Sequence, residues 1–416
     1  MRLQIFTDKK TLARCHIYQM LKTHSGKRHF SFHTPGHKQG KWDITELSFS
    51  DNLASPRGCI AEAEKDIAEI LGAKQSFILT DGSTSGVLSV LFAAKRLGVE
   101  KIAVCTASHK SVFNGCALLG LKPVVYGEKE DFVSALKNAD ALFLTSPNYY
   151  GNIPSLQTAR ALCTQENKLL LADGAHGGHL HFDKNLYAGA YADMWVDGVH
   201  KSLPALTQGA VVSAKDEQTA NALRLAVDTF RTTSPSYPIM ASVEYAVKFP
   251  RNEALEKEVR KYADTQERIT VGQDYTKLCV KIGKRAFEAE QELEKDGFFA
   301  EFCDGETVMF YLSPATDKKA FALLKKRLQK LLEKYPFEAV ERVPAPVLLQ
   351  TDGETEEVDI SQAIGRICAE NCGLFPPCTP LLFVGEFISA EKIALLQSAT
   401  HTFGIYENKI KVFKQD

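Results

Sequence analysis

An aspartate and a lysine each stand just after a short apolar run. Asp173 closes "LLLAD" (169–173), and Lys201 follows "DMWVD" (193–197) within "GVHKSLPALTQGA". Around the aspartate, "LADGAHGGHLHF" (171–182) sets His176, His179 and His181 within six residues. Two chemistries compete for this stretch. A metal site needs ligands that converge on one point. His176 and His179 share a face only on a helix, whereas the pattern here predicts a strand whose alternating side chains diverge, and no further His, Cys or carboxylate cluster completes a ligand set. The second chemistry is that of pyridoxal 5'-phosphate: a lysine takes up the aldehyde, and an aspartate pairs with the pyridinium nitrogen and keeps it protonated, so that the ring serves as an electron sink. On that reading Asp173 faces the ring nitrogen, the small Ala175 packs on a ring face, His176 points to the substrate side, and His179 and His181 are structural; no metal is expected.

A phosphate requires donors of its own. "DGSTSG" (81–86) follows the run "SFILT" and opens a helical pattern. Gly82 lets the backbone turn closely, and Ser83, Thr84 and Ser85 offer hydroxyls and backbone N–H groups at a helix N-terminus. Taken alone the signal is weak, because serine and threonine are also the commonest helix caps. His109, in "ASHKS" (107–111), follows the run "IAVCT", and His200 directly precedes Lys201.

The elements that must position these groups are seven apolar runs: 76–80, 102–106, 123–126, 141–145, 169–173, 193–197 and 209–213. They are continuous rather than alternating, as strands buried on both faces are. Helical patterns such as 84–98 and 155–167 separate them. A mainly parallel α/β sheet with helices on both faces follows, and the closeness of the last two runs leaves the direction there open. In such a sheet ligands bind at the carboxyl ends of the strands, where the polar clusters lie. From about Pro238 the character changes. A charged helical stretch (252–269) leads to a strand (306–313), an amphipathic helix (318–335) and two further helical patterns near 360–372 and 390–402. The expected division is an N-terminal segment 1–60, a large domain 61–250 and a small α+β domain 251–416.

The bulk properties exclude little but exclude it cleanly. The 416 residues carry a net charge of −1, which gives no electrostatic reason to bind nucleic acid or an acidic membrane. The ten cysteines form no Cys-x-x-Cys pair, and no run approaches a membrane span or a signal peptide, so a reduced, cytoplasmic protein is expected.

The ordered motifs "FHTPGHKQG" (32–40), "DGSTSG" (81–86), "SHKSV" (108–112), "TSPNYYG" (145–151), "DGAHGGHLHF" (173–182), "HKSLPALTQGA" (200–210), "TSPSYPIMAS" (233–242) and "AIGRICAENCGLFPPCTPLLFVGE" (363–386) together resemble the fold-type-I pyridoxal-phosphate decarboxylases of ornithine, lysine and arginine, in the compact bacterial form without an N-terminal wing domain. The resemblance implies decarboxylation of a basic amino acid, Lys201 as the aldehyde-binding lysine, Asp173 as the pyridinium partner, His109 stacked on the ring opposite Ala175, and Ser83, Thr84 and His200 around the phosphate. It also implies a homodimer or higher oligomer, with the "HTPGHK" segment, His33 and His37 included, at the interface. Departures stand beside the matches. The family usually has serine three residues before the lysine, where this chain has Gly198; an acidic or hydroxyl residue often precedes the alanine, here Gly174; and the family's Pro-Pro-Gly turn is Pro376-Pro377-Cys378. Glu386 is the candidate for the substrate's distal cation. Transamination or aldol cleavage, with Arg231 or Arg366 holding a carboxylate, and a catalytically silent relative are the competing expectations.

Overall fold

A computed structural model describes residues 5–38, 40–127, 132–340, 353–376, 378–399 and 401–414. Its centre is a seven-stranded sheet in which every expected run is a strand: β1 (Gln75–Leu79), β2 (Lys101–Cys105), β3 (Lys122–Tyr126), β4 (Ala141–Thr145), β5 (Leu169–Gly174), β6 (Met194–Asp197) and β7 (Ala210–Ala214). The order is β1-β7-β6-β5-β4-β2-β3. Only β7 is reversed, pairing antiparallel with both β1 and β6; the short connection from β6 to β7 permits that direction and no helical crossover. The continuous apolar runs have a direct cause. Along β1, Ile78 belongs to the core on one face of the sheet, while Phe77 and Leu79 belong to the core on the other. With both faces covered, apolar residues follow one another along the strand, and the buried Ser76 hydroxyl is matched by that of Ser213 at 2.7 Å.

The N-terminal segment is tied into this unit. Ile17, Leu21, Ile44 and Leu53 are buried in the same core as Ile78 and Trp195. The helix His16–Ser25 starts without a side-chain cap of its own. Instead, the carboxylate of Glu244 accepts from His16 N (2.6 Å) and Ile17 N (2.9 Å), satisfying donors that the helix start leaves open. Lys248 Nζ closes the arrangement on Glu244 (2.8 Å) and Asp66 (2.5 Å). His16, Asp66 and Glu244 lie close enough together to share an ion, but the Lys248 ammonium already occupies both carboxylates.

The C-terminal part, from about residue 251, holds two main apolar cores. The first is a four-stranded antiparallel sheet, order β10-β11-β9-β8, made of β8 (Ile269–Thr270), β9 (Lys277–Lys281), β10 (Phe302–Cys303) and β11 (Thr307–Tyr311). It packs on the helices Glu253–Asp264, Ala286–Lys295 and Lys318–Lys334. The second consists of two three-stranded sheets between residues 353 and 414 with the helix Ala390–Ser398. The helix expected near 360–372 is absent. A 3-10 turn, Ile360–Gln362, is followed by Gly365 at φ 81°, outside the helical region, and Cys368 bridges to Val412. Among the described residues no helix is long and apolar enough to cross a membrane.

Candidate active site

The carboxyl ends of β1, β2, β4, β5 and β6 open on a cavity of about 490 Å³. Ser83, Thr84 and His109 stand on its wall, as do Asp173, Ala175, His176, His200 and Lys201. Gly82, at φ 85°, turns the chain out of β1 into the helix Ser83–Arg96, so that Ser83 and Thr84 meet the cavity at the start of a fourteen-residue helix. Ser85 does not reach the wall: its hydroxyl is buried and donates to Gly82 O at 2.8 Å.

Asp173 is the last residue but one of β5, in register with Thr145 of β4 and Val196 of β6. Oδ1 accepts from Ala175 N at 2.9 Å. Burial pushes the carboxyl pKa up, and the Ala175 N–H and the Lys201 charge pull it back. Lys201 sits in the short helix Val199–Ser202 directly after β6, and its Nζ lies 3.0 Å from His176 Nε2. Burial lowers the ammonium pKa against the opposing pull of Asp173 and Glu301. A lysine so placed loses its proton more readily than one in water, as a nucleophilic amine must. His109 caps the helix Lys110–Leu119: Nδ1 accepts from Ser111 N at 3.1 Å, which leaves Nε2 to carry the ring's proton. Burial, with Lys201 and Lys110 nearby, pushes its pKa down to about 3, so the ring is neutral. His200 Nδ1 faces Gly209 O at 2.9 Å and must be protonated there, since a carbonyl only accepts.

The three histidines of the glycine-rich loop diverge. The segment is a 3-10 helix, Gly178–Phe182, not the expected strand, and the local turn sends each ring a separate way. His176 Nε2 meets Lys201; His179 Nε2 meets Asp274 Oδ1 at 2.8 Å; His181 Nδ1 meets Gly178 O at 2.7 Å. His176 is packed against the Tyr149 ring at 4.2 Å, and its Nδ1 is buried without a partner.

Behind His176 stands a group that no local motif announces. Lys277 of β9 is fully buried and donates to His176 O (2.7 Å) and Tyr311 OH (2.8 Å), with Asp274 as its ion partner and Thr276 Oγ1 at 3.1 Å. Burial opposes the Asp274 charge, but His179 and Lys277 outweigh it and hold the carboxyl well below its usual range. The second sheet is thereby fastened to the backbone of the cavity loop.

Glu386 is not on the cavity wall. It is buried, with its carboxylate ion-paired to Lys392 and accepting from Phe383 N at 2.9 Å, so it is spent inside the chain; Lys392 lines the cavity in its place. The departures from the family pattern acquire a cause. A Cβ on Gly198 would meet Ala175 O at 2.5 Å, and one on Gly174 would meet Asp197 Oδ1 and Val196 O at 2.9 Å. The loops after β5 and β6 run backbone against backbone. Cys378 stands at φ 62°, the conformation a glycine would favour, and its carbonyl accepts from Lys110 N at 2.9 Å, at the start of the His109 helix.

The donor set fits pyridoxal phosphate: hydroxyls and a helix N-terminus for the phosphate, a desolvated amine for the aldehyde, a buried carboxylate for the ring nitrogen. The fold is that of the fold-type-I pyridoxal-phosphate enzymes. The constitutive lysine decarboxylase of Escherichia coli superposes with a TM-score of 0.72 at 18% identity, over 96% of this chain and 82% of that one. A sequence profile of the Orn/Lys/Arg decarboxylase major domain matches residues 41–133 and 129–277. The chain belongs to the Orn/Lys/Arg decarboxylase family. Its relatives include an uncharacterized protein of Bacillus subtilis, YaaO, 27% identical over 96% of this chain and 98% of that protein. An arginine decarboxylase of Halalkalibacterium halodurans is 25% identical over 92% of each.

Proposed function

We propose that this protein removes the carboxyl group of a basic amino acid, lysine, ornithine or arginine, with pyridoxal phosphate as cofactor. Bound in this cavity, the cofactor supplies an aldehyde that takes up an amine and a ring that accepts the electrons left when carbon dioxide departs. Lys201 would hold the aldehyde end and Asp173 the ring nitrogen, with Ser83, Thr84 and His200 around the phosphate. His109 and Ala175 would flank the ring. His176, 3.0 Å from Lys201 Nζ, is placed to exchange a proton with that amine. The observation that carries the reading is a desolvated Lys201 sharing one cavity with buried Asp173.

Decarboxylation is favoured over transamination by what holds the arginines. Aminotransferases of this fold commonly fix the substrate carboxylate with arginine, whereas a decarboxylase must let it leave. Arg231 is bound to Leu53 O (2.8 Å) and Ile78 O (3.3 Å), Arg366 to Glu356 and Phe413 O (3.0 Å). Among the described residues no arginine lines the cavity. A homodimer in the cytoplasm, with the 32–40 segment at the subunit contact, completes the proposal. The test is carbon dioxide release from lysine, ornithine and arginine by purified protein reconstituted with the cofactor. Turnover of at least one supports the reading; transamination or cleavage of another amino acid with none of these consumed overturns it.

A further inference from the structure

A basic amino acid brings a second cation into the cavity, and burying that cation without an opposing charge is unfavourable by several kcal/mol. Among the described residues the cavity wall carries one carboxylate, Asp173, which the cofactor's ring nitrogen claims, and Glu386 is spent on Lys392. The distal cation therefore needs an acid that borders the wall and is not already paired.

Glu301, at the entry to β10, precedes residues that reach that wall: Phe302 and Asp304 pack on Tyr149 and Tyr150, both of which line the cavity. The Phe302 ring lies 5.4 Å from Tyr149 and 5.7 Å from Tyr150, and Asp304 accepts from Tyr150 OH at 2.6 Å. The same Tyr149 ring is 6.0 Å from Lys201 Nζ. Glu301 is fixed at the backbone, its N–H donating to Met309 O at 2.8 Å. Among the described residues its carboxylate has neither hydrogen-bond partner nor ion pair, while the neighbouring acids Asp274 and Asp304 are both engaged. Burial raises its pKa, and the charges of Lys201 and Lys277 pull it back. Lys277 is already neutralised by Asp274, so it does not satisfy Glu301. A half-buried carboxylate held beside the cavity without a partner matches a ligand that brings its own cation.

We infer that Glu301 recognises the distal ammonium or guanidinium of the substrate. The inference rests on the decarboxylase reading and gives it a specificity residue. Glu301 leads into the second sheet and the aldehyde-binding lysine follows a strand of the first, so the distance between the two would select the length of the side chain that spans them.

The experiment compares wild type with Glu301→Gln and Glu301→Asp, using lysine, ornithine, arginine and norleucine, the uncharged analogue of lysine. Glu301→Gln should raise KM for the preferred basic substrate by about 10²-fold and leave kcat within about threefold, because the contact is remote from the breaking bond. Discrimination against norleucine should fall by a similar factor. Calorimetry with the corresponding diamine or guanidino amine should show the same loss of binding without any turnover. Glu301→Asp keeps the charge and withdraws it by one carbon, so its relative kcat/KM should shift toward the longer substrate; a residue that merely supports the fold would not move that preference. A wild type that turns over no basic amino acid overturns the decarboxylase reading. A wild type that does so while Glu301→Gln keeps its KM, or loses kcat with KM unchanged, leaves that reading standing and overturns the role of Glu301.

Discussion

Lys277 is fully buried and Lys201 partly so, desolvation lowers the pKa of both, and both touch His176, one at the ring and one at the backbone carbonyl. Their surroundings differ in the number and charge of the partners. Lys277 Nζ has four acceptors for its three protons, one of them the Asp274 carboxylate. Among the described residues Lys201 Nζ has a single close partner, a neutral imidazole nitrogen, and the Asp173 charge acts on it only from further off. The first arrangement pins an ammonium; the second leaves an amine free to react. Burial alone thus does not mark a reactive lysine, and the decisive quantity is how much of the lost hydration the protein replaces.

The comparison breaks or sharpens on substitution. Lys201→Ala should lower kcat by about 10³-fold or more and abolish the borohydride-fixed cofactor adduct, with the urea midpoint almost unmoved. A variant that unfolds instead would make Lys201 the same kind of residue as Lys277. Lys277→Met should show the opposite signature. Removing Lys277 leaves Asp274 Oδ2 without its ammonium, with His179 and Thr276 still on Oδ1, and denaturant titration should record a loss of about 3 kcal/mol. An unchanged midpoint would mean that Asp274 takes up a proton or another partner without cost. Asp173→Asn should fold, still accept the cofactor, and lose about 10²-fold in kcat through the ring's electrostatics; a change of only a few-fold would remove Asp173 from that role.

The smallest expected effect concerns pH. Burial pushes the His181 pKa down to about 4, against about 6.5 in an unfolded chain. Below about 6.5 the unfolded chain binds a proton that the folded one refuses, so this contribution to stability is complete above that pH and is lost as pH falls toward 4. His181→Asn, which can still donate to Gly178 O, should flatten the fall of the urea midpoint over that range. An equally steep fall would assign the acid sensitivity to other groups.

The sheet and the strand ends that form the cavity were legible because their signals are local. Each polar cluster follows its own apolar run by a few residues, and fully covered strands leave unbroken runs. The support behind His176 was not legible. Lys277 and Tyr311 come from a different sheet, and nothing near them in sequence marks them as reaching the cavity loop. Glu386 was misplaced because its partner, Lys392, lies six positions on, beyond the helical spacing that pairs charges in a sequence. The stretch 360–372 mimics a helix in its apolar spacing, but Gly365 turns out of the helical region and Cys368 bridges to Val412.

The backbone contact between Gly198 and the Ala175 peptide bears on how such a chain can change over generations. A serine at 198 would add a hydroxyl three residues before Lys201, yet its Cβ would fall 2.5 Å from Ala175 O. The loop after β5 must retreat before the larger residue can enter, and a loop that retreats first leaves a gap behind Ala175. Changes at 174, 175 and 198 are therefore coupled rather than additive, and a serine introduced at 198 alone passes through a weakened protein.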